Sequence, residues 1–150
     1  MKTKSRVCVA AVTILLLVGI SAKLRAKDEK SPSQEERAKA VNVVRLINTA
    51  EMGYSMGTKK DATDAHGHYA SWDELYSSGV LKAVQEKWPM FKDLQVSASP
   101  ELMPGFHLDL LVSAGGKSYS IALHDTKDGD GLFTVFSDQN GIIFLGSPLQ

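Results

Sequence analysis

The fold is decided by residues 106–125, which read FHLDLLVSAGGKSYSIALHD. From Phe106 to Val112, and again from Tyr119 to Leu123, every second residue is apolar. A period of two is typical of a strand that buries one face. The pair Gly115-Gly116 between the two segments is a signal for a two-residue hairpin turn. This stretch therefore predicts two antiparallel strands joined by a tight turn.

The sequence after this hairpin keeps the same pattern. A polar break at residues 125–131, DTKDGDG, precedes an apolar segment from Leu132 to Ser137. Residues 138–141 contain Asn-Gly, which is a turn signal, and Ile142 to Leu145 forms the last apolar segment. Because the connections are short, consecutive strands should pair antiparallel. We therefore expect a meander of about four strands.

The sequence before the hairpin has the period of a helix. Ser33 and Glu36 form a capping box, and Gly57 is a suitable end. Apolar residues recur between them at helical spacing: Ala40, Val43, Ile47, Ala50 and Tyr54. A helix of about 23 residues with one apolar stripe should cover the apolar face of the sheet. The predicted fold class is α+β, with a long N-terminal helix packed on the meander.

Two shorter helices are predicted between the long helix and the sheet. A second capping box, Ser71 with Glu74, starts one of them, and Gly79 can end it. Residues 80–88 predict another helical segment that Pro89 stops. Residues 58–67 are polar and predict a loop. Four aromatic residues are expected to pack in the core around the short helix: Tyr54, Tyr69, Trp72 and Trp88. Met52 and Met56 are expected to fill the core or its edge.

Residues 1–22 predict an export signal. Three cations precede an apolar run of 14 residues from Val7 to Ile20. This length suits the hydrophobic region of a signal peptide, whereas a membrane-spanning helix needs about 20 residues. If it is not cleaved, the segment would act as a short membrane anchor. Residues 23–32 are charged and predict a linker, so the domain covers residues 33–150. We expect the protein in the periplasm or at the cell surface. An uncleaved leader would tether it to the inner membrane.

Composition limits the classes of partner. The protein has no net charge, and without residues 1–22 it holds 14 basic and 17 acidic residues. A mildly acidic domain does not have the basic surface that nucleic-acid binding requires. The single cysteine, Cys8, lies in the leader. The predicted domain therefore forms no disulfide and has no thiol nucleophile.

Three segments resemble the type IV pilins and the pseudopilins of type II secretion. Residues 45–54, RLINTAEMGY, are similar to the helix segment R-x-I-N-T-A-E-x-x-Y of pilin-like bacterial proteins. Residues 67–75, GHYASWDEL, with the GVL of residues 79–81, resemble the G-x-Y-x-S-L-x-x-L and G-L/V-L segments. Residues 133–143, FTVFSDQNGII, resemble the closing hairpin F-x-x-D-x-x-G-x-I. The three matches occur in the order of the family.

The resemblance implies a pilin-like head that serves as a structural or protein-interaction subunit and is not an enzyme. Its partner would be another protein or a second copy of the same protein. The N-terminal prepilin motif is lacking, since no Phe or Glu occurs in residues 1–28. The implied protein is a head attached to an ordinary secretion signal. Its helix should then expose an apolar patch between Ser33 and Met56.

One acidic cluster is a candidate metal site. Asp125, Asp128 and Asp130 lie on a glycine-containing loop and offer the oxygen ligands that calcium prefers. The bidentate glutamate of an EF-hand is missing from this segment. The alternative is a solvated hairpin turn, because Asp-Gly is common turn chemistry.

Other polar residues offer weaker alternatives. A group of imidazole and carboxylate side chains that could bind a transition metal lies at Asp61, Asp64, His66 and His68. The alternative is that this segment is only an exposed loop. The sequence has no G-x-S-x-G motif and no glycine-rich loop before a helix. His107 and His124 are predicted on the wetter side of the strands. A calcium- or metal-dependent binding module of the cell envelope is the alternative function, and a small hydrolase is the second alternative.

Overall fold

The computed structural model describes residues 32–57, 67–126 and 133–146 of the protein. Helices in these ranges are α1 (Gln34–Gly57), α2 (Trp72–Ser77) and α3 (Val80–Lys87), with a 3₁₀ turn at Pro89–Phe91. The strands are β1 (Phe106–Val112), β2 (Tyr119–Asp125), β3 (Thr134–Asp138) and β4 (Phe144–Gly146). The predicted leader, residues 1–22, and the predicted linker up to residue 31 lie outside the described residues.

Helix α1 begins at the predicted capping box. The backbone N–H of Glu36 donates to Ser33 Oγ over 3.2 Å, and the backbone N–H of Ser33 donates to Glu36 Oε2 over 2.9 Å. One side of the helix is fully buried: Ala40, Val43, Val44, Leu46, Ile47 and Ala50. The helical spacing in the sequence therefore identified the buried side of α1.

The four strands form one antiparallel sheet in the order β1-β2-β3-β4. In the first hairpin Phe106 pairs with Asp125, and Val112 pairs with Tyr119. Each later strand pairs with its predecessor. The predicted antiparallel meander of four strands is confirmed.

The turn between β1 and β2 is wider than the two-residue turn predicted. The backbone N–H of Ser113 donates to the Ser118 carbonyl over 2.9 Å, so residues 114–117 form the loop. Gly115 and Gly116 have φ values of 92° and 66°, a conformation that side chains disfavour. A Cβ at position 116 would also lie 3.1 Å from the Tyr69 carbonyl oxygen. The backbone N–H of Tyr69 donates to the Gly116 carbonyl over 2.8 Å, which ties the segment before α2 to this turn.

Strands β3 and β4 begin later than the sequence predicted. The backbone N–H of Gly141 donates to the Asp138 carbonyl over 2.8 Å and closes the turn. The Ser137 hydroxyl donates to the Ile142 carbonyl over 3.0 Å. Ile142 is therefore held by the turn, and the paired strand starts only at Phe144.

Helix α1 lies against β2 and β3. The covered face of the sheet supplies buried residues from alternate strand positions: Phe106, Leu108, Tyr119, Ile121, Leu123 and Val135. The opposite face leaves Leu111, Phe136 and Phe144 exposed. An α+β architecture with a four-stranded antiparallel sheet and a helix at residues 34–57 is thus established.

The two short helices follow the predicted signals. At Ser71 the side chain accepts from the backbone N–H of Glu74, whose carboxylate accepts in return from the Ser71 backbone. Gly79, at a φ of 77°, separates α2 from α3. Helix α3 ends at Lys87, directly before Trp88-Pro89, as a proline requires. None of the helices among the described residues is long and apolar enough to cross a membrane.

Candidate functional site

The predicted calcium residues are not brought together within the described part of the protein. Asp125 ends β2 and is buried, with 2% of its surface exposed. Its backbone N–H donates to the Phe133 carbonyl over 2.9 Å. Asp128 and Asp130 lie outside the described residues. Within residues 32–57, 67–126 and 133–146, no three side chains of the metal-binding types form a cluster.

The second candidate cluster is described only at His68. Asp61, Asp64 and His66 fall outside the described residues. His68 is exposed, and its Nδ1 lies 2.6 Å from the Gly115 carbonyl oxygen. Because a carbonyl oxygen only accepts, Nδ1 carries the proton in this contact. His68 thus helps to hold the segment before α2 on the first hairpin.

The two strand histidines lie side by side on the exposed face of the sheet. His107 and His124 are directly paired across β1 and β2, with ring centroids 5.1 Å apart. Asp109 lies within 3.4 Å of His107 Nε2 and 3.7 Å of His124 Nδ1. The predicted position of His107 on the wetter face is confirmed. The three side chains form a small polar cluster around one carboxylate on the surface of the sheet.

A concave groove lies beside the second half of α1. Its volume is about 740 Å³, within the range of protein ligand sites. Its buried lining includes Tyr119 and Phe91, which form the floor. The turn at residues 139–141 closes one end. We refer to this feature below as the α1 groove.

The edges of the α1 groove expose large apolar side chains. Met52 and Met56 project from α1, with 59% and 63% of their surface exposed. Trp88 and Met90, from the segment after α3, are exposed by 46% and 51%. The prediction that Trp88 packs in the core is wrong, because α3 ends before it and turns it outward. Trp72 is buried as predicted, and its Nε1 donates to the Ala98 carbonyl over 3.0 Å.

Methionine is suited to such a surface, because its unbranched side chain adapts to varied partners. The expected exposed apolar patch on α1 is therefore present, but only near its C-terminal end. The first half of the helix exposes charged side chains such as Glu35 and Arg45.

A polar network joins the wall of the α1 groove to the sheet. The Tyr119 hydroxyl donates to Asn48 Oδ1 over 2.9 Å, and Asn48 Nδ2 donates to Ser137 Oγ over 2.8 Å. The Ser137 hydroxyl then donates to the Ile142 carbonyl. Each side chain of the network forms a hydrogen bond with the next, so these polar groups hold α1 on the sheet.

A carboxylic acid lies buried behind this network. Glu51 is 0% exposed, and its Oε2 accepts from the Ala70 backbone N–H over 3.0 Å. Its Oε1 has no hydrogen-bond partner among the described residues. Burial raises the pKa of Glu51 to about 7, the Ala70 N–H opposes the rise, and the negative charge of Glu74 adds to it. Burial, followed by the charge of Glu51, likewise raises the pKa of Tyr119 above its ordinary value.

Sequence reasoning missed Glu51, although a signal was available. Glu51 follows Ile47 by four positions and precedes Tyr54 by three, so helical spacing puts it on the buried stripe. Met52 and Met56 follow Arg45 and Asn48 at helical spacing on the opposite side. No local signal indicates that Trp88 and Met90 would face them, because that depends on how α3 packs.

Comparison with known proteins finds no match. No family model, no curated protein and no solved structure matches the sequence.

Proposed function

We propose that the protein is an exported, non-enzymatic structural or protein-interaction subunit with a pilin-like head. Residues 1–22 would direct it to the periplasm or the cell surface, either cleaved or as a short anchor. The head would then meet a protein partner, or a second copy, in the cell envelope. A long helix laid across a four-stranded meander agrees with the resemblance of residues 45–54, 67–75 and 133–143 to pilins and pseudopilins.

The observation that carries the proposal is the α1 groove. Exposed apolar side chains from two separate segments, Met52 and Met56 on one and Trp88 and Met90 on the other, converge on one concave surface. Water contact with such a surface is unfavourable, and contiguous exposed apolar patches mark interaction sites. Aromatic residues and methionine are also the residue types enriched at protein interfaces.

The chemistry of the groove favours binding over catalysis. Its polar members Asn48 and Tyr119 already bond to each other, and Thr49 Oγ1 donates to the Arg45 carbonyl over 2.8 Å. Its buried acid Glu51 is enclosed behind the wall and is not part of the lining. A groove in which polar groups support the fold and apolar groups face outward suits a protein ligand.

Site-specific photo-crosslinking tests this function in the living source cell. A photoreactive residue is placed at position 56 or 90 in the groove, or at position 82 as control, where Lys82 is exposed on α3. We expect one identified envelope protein, or the protein itself, to be crosslinked from positions 56 and 90 and not from 82. Equal crosslinking at all three positions, or none at any, would refute the proposed groove interaction.

Mass spectrometry of the envelope fraction tests the export part separately. A cleaved protein should begin between residues 21 and 24, whereas an anchored one keeps its N-terminus. Finding the protein only in the cytoplasm would overturn the proposed location and leave the groove experiment unaffected.

A further inference from the structure

We propose that the α1 groove binds a peptide segment of a partner protein that combines an apolar anchor with a carboxylate, and that Arg45 binds the carboxylate. This inference rests on the proposed protein-binding function and names the chemistry of its partner. It follows from the charges around the groove, from the positions of the exposed apolar side chains, and from the spacing between the two.

The charge in the lining of the groove has one sign, and the carboxylates of Glu51 and Asp138, which act on Tyr119 at the floor, lie outside that lining. Arg45 is exposed and is the charged residue in the lining among the described residues. Lys87 places its Nζ 5.9 Å from the centre of the Trp88 ring, at the other edge. No aspartate or glutamate of the described residues lines the groove. Charge complementarity therefore favours an anionic occupant over a basic one.

Arg45 is available for that occupant. Its Nη1 donates weakly to Asn42 Oδ1, over 3.3 Å, and no carboxylate of the described residues forms a salt bridge with it. The remaining N–H groups of a guanidinium form a planar fork that matches the two oxygens of a carboxylate. Glutamate, aspartate or the terminal carboxylate of a polypeptide supplies this group.

The requirement for an apolar group in the peptide comes from the residues at the other end of the same side of α1. Met52 and Met56 lie about one and two turns beyond Thr49, and Trp88 and Met90 line the same groove. An apolar side chain of a partner that packs in the groove would remove part of this exposed apolar surface from water, and each buried methylene stabilises the complex. Leucine, methionine and phenylalanine fit such an adaptable pocket.

The helix sets the distance between the two anchors. Met52 and Met56 follow Arg45 by seven and eleven positions, which corresponds to about 10 and 16 Å along α1. An extended peptide advances about 3.3 Å per residue. The acidic residue and the apolar anchor of the partner should therefore lie about three to five residues apart in sequence.

A peptide is favoured over a second copy of the protein as the occupant. In a two-fold dimer through the groove, each copy would present the same lining, which holds Arg45 and no aspartate or glutamate, so neither guanidinium would meet a carboxylate from the lining of the other copy. A peptide with a carboxylate supplies that group. Self-association nevertheless gives a distinct result in the test below.

The experiment selects binders from a library of random 12-residue peptides displayed on phage, against the purified full-length protein. Selection is repeated with three variants. Arg45→Gln removes the guanidinium, and Lys82→Gln removes an exposed cation elsewhere, which makes it a control for net charge. A third variant, Met56→Asp combined with Met90→Asp, closes the groove to apolar side chains.

We expect peptides selected by the native protein to be enriched in one apolar and one acidic residue at the stated spacing. For a selected peptide, Arg45→Gln should weaken binding by about fivefold, as for loss of a solvent-accessible ion pair. The loss should disappear when the acidic residue of the peptide is replaced by its amide. Lys82→Gln should leave the affinity unchanged, and fluorescence of Trp88 in a Trp72→Phe background reports binding directly.

The outcomes separate this inference from the proposed function. Apolar peptides without an acid preference, or basic peptides, would overturn the inference and leave protein binding by the groove intact. Peptides that bind the Met56→Asp, Met90→Asp variant equally well would overturn both. Sedimentation of the native protein as a dimer that the same double variant dissociates would assign the groove to a second copy instead.

Discussion

The two sides of α1 break the usual pattern of a surface helix in opposite ways. The side toward the sheet buries a carboxylic acid, Glu51, among mostly apolar residues. The side toward the α1 groove exposes Met52 and Met56 beside a cation that has no carboxylate partner within the described residues. The first departure costs stability whenever the acid ionises. The second leaves apolar surface in water, and the described residues compensate the first only in part, through the Ala70 N–H that donates to Glu51. Such departures are expected where a protein functions or is strained.

The buried side should dominate stability. Ile47 is fully buried at the centre of α1, so Ile47→Ala should lower the free energy of unfolding by about 2–5 kcal/mol. Urea denaturation followed by circular dichroism measures the change. Met52→Ala, on the same helix but in the groove, is the control and should change stability by less than about 0.5 kcal/mol. Similar losses for both variants would show that the groove side is part of the core.

Ionisation of Glu51 gives the next largest effect. The pKa of Glu51 is about 7 in the folded protein, against an ordinary value of 4.5. The preference of the fold for the neutral acid therefore contributes fully to the free energy of unfolding below pH 4.5. That stability is lost as pH rises through 7, and it amounts to about 3 kcal/mol. Glu51→Gln keeps a neutral side chain at every pH.

The stability of Glu51→Gln relative to the native protein should therefore improve by about 3 kcal/mol between pH 4.5 and pH 8. Denaturation at a series of pH values measures this difference. A packing cost of the amide that does not vary with pH leaves the change between the two pH values unaffected. A difference that stays flat across this range would mean that Glu51 is not buried as a neutral acid.

The polar network that joins the two sides should contribute less. Asn48→Ala removes the acceptor of the buried Tyr119 hydroxyl and the donor to Ser137. Leaving these groups without partners should cost about 1–3 kcal/mol. Asn42→Ala, earlier on the same helix, is the matched control and should cost less than about 0.5 kcal/mol. Equal effects on thermal unfolding would indicate that the network adds nothing beyond helix propensity.

The smallest effect on stability is expected in the groove itself. Met56→Ser changes a side chain that is mostly in water, so the free energy of unfolding should move by less than about 0.5 kcal/mol. The same change should weaken binding of the peptides selected by the groove. A loss of stability above about 1 kcal/mol would place Met56 in a packed layer and would remove the apolar edge from the groove.

Much of the fold could be predicted because its signals are local. The capping boxes at Ser33 and Ser71 and the stop at Pro89 depend on hydrogen bonds within one turn of backbone. These signals were found at their predicted positions. The exact widths of the turns could not be predicted. They depend on the Ser113–Ser118 pairing and on the hydrogen bond of the Ser137 hydroxyl, whose partners a periodic pattern does not specify.

The candidate site was harder to predict. The residues chosen from the sequence were acids and histidines in glycine-rich or polar segments, and most of them fall outside the described residues. The α1 groove arises from Met52 and Met56 together with Trp88 and Met90, 32 to 38 positions later in the sequence. The sequence contains the methionines on the polar side of α1, but nothing local indicates which segment faces them.

By itself, the sequence determined the type and order of the elements, because the period of apolar residues and the caps act through neighbouring backbone. It also determined that α1 and the sheet each have an apolar face to bury. Only the tertiary structure decided that Glu51 meets Ala70 and Tyr119 away from water, and that Trp88 turns outward over the groove. Burial, the pKa it shifts and the shape of a groove depend on contacts between residues distant in sequence, and those contacts exist only once the protein is packed.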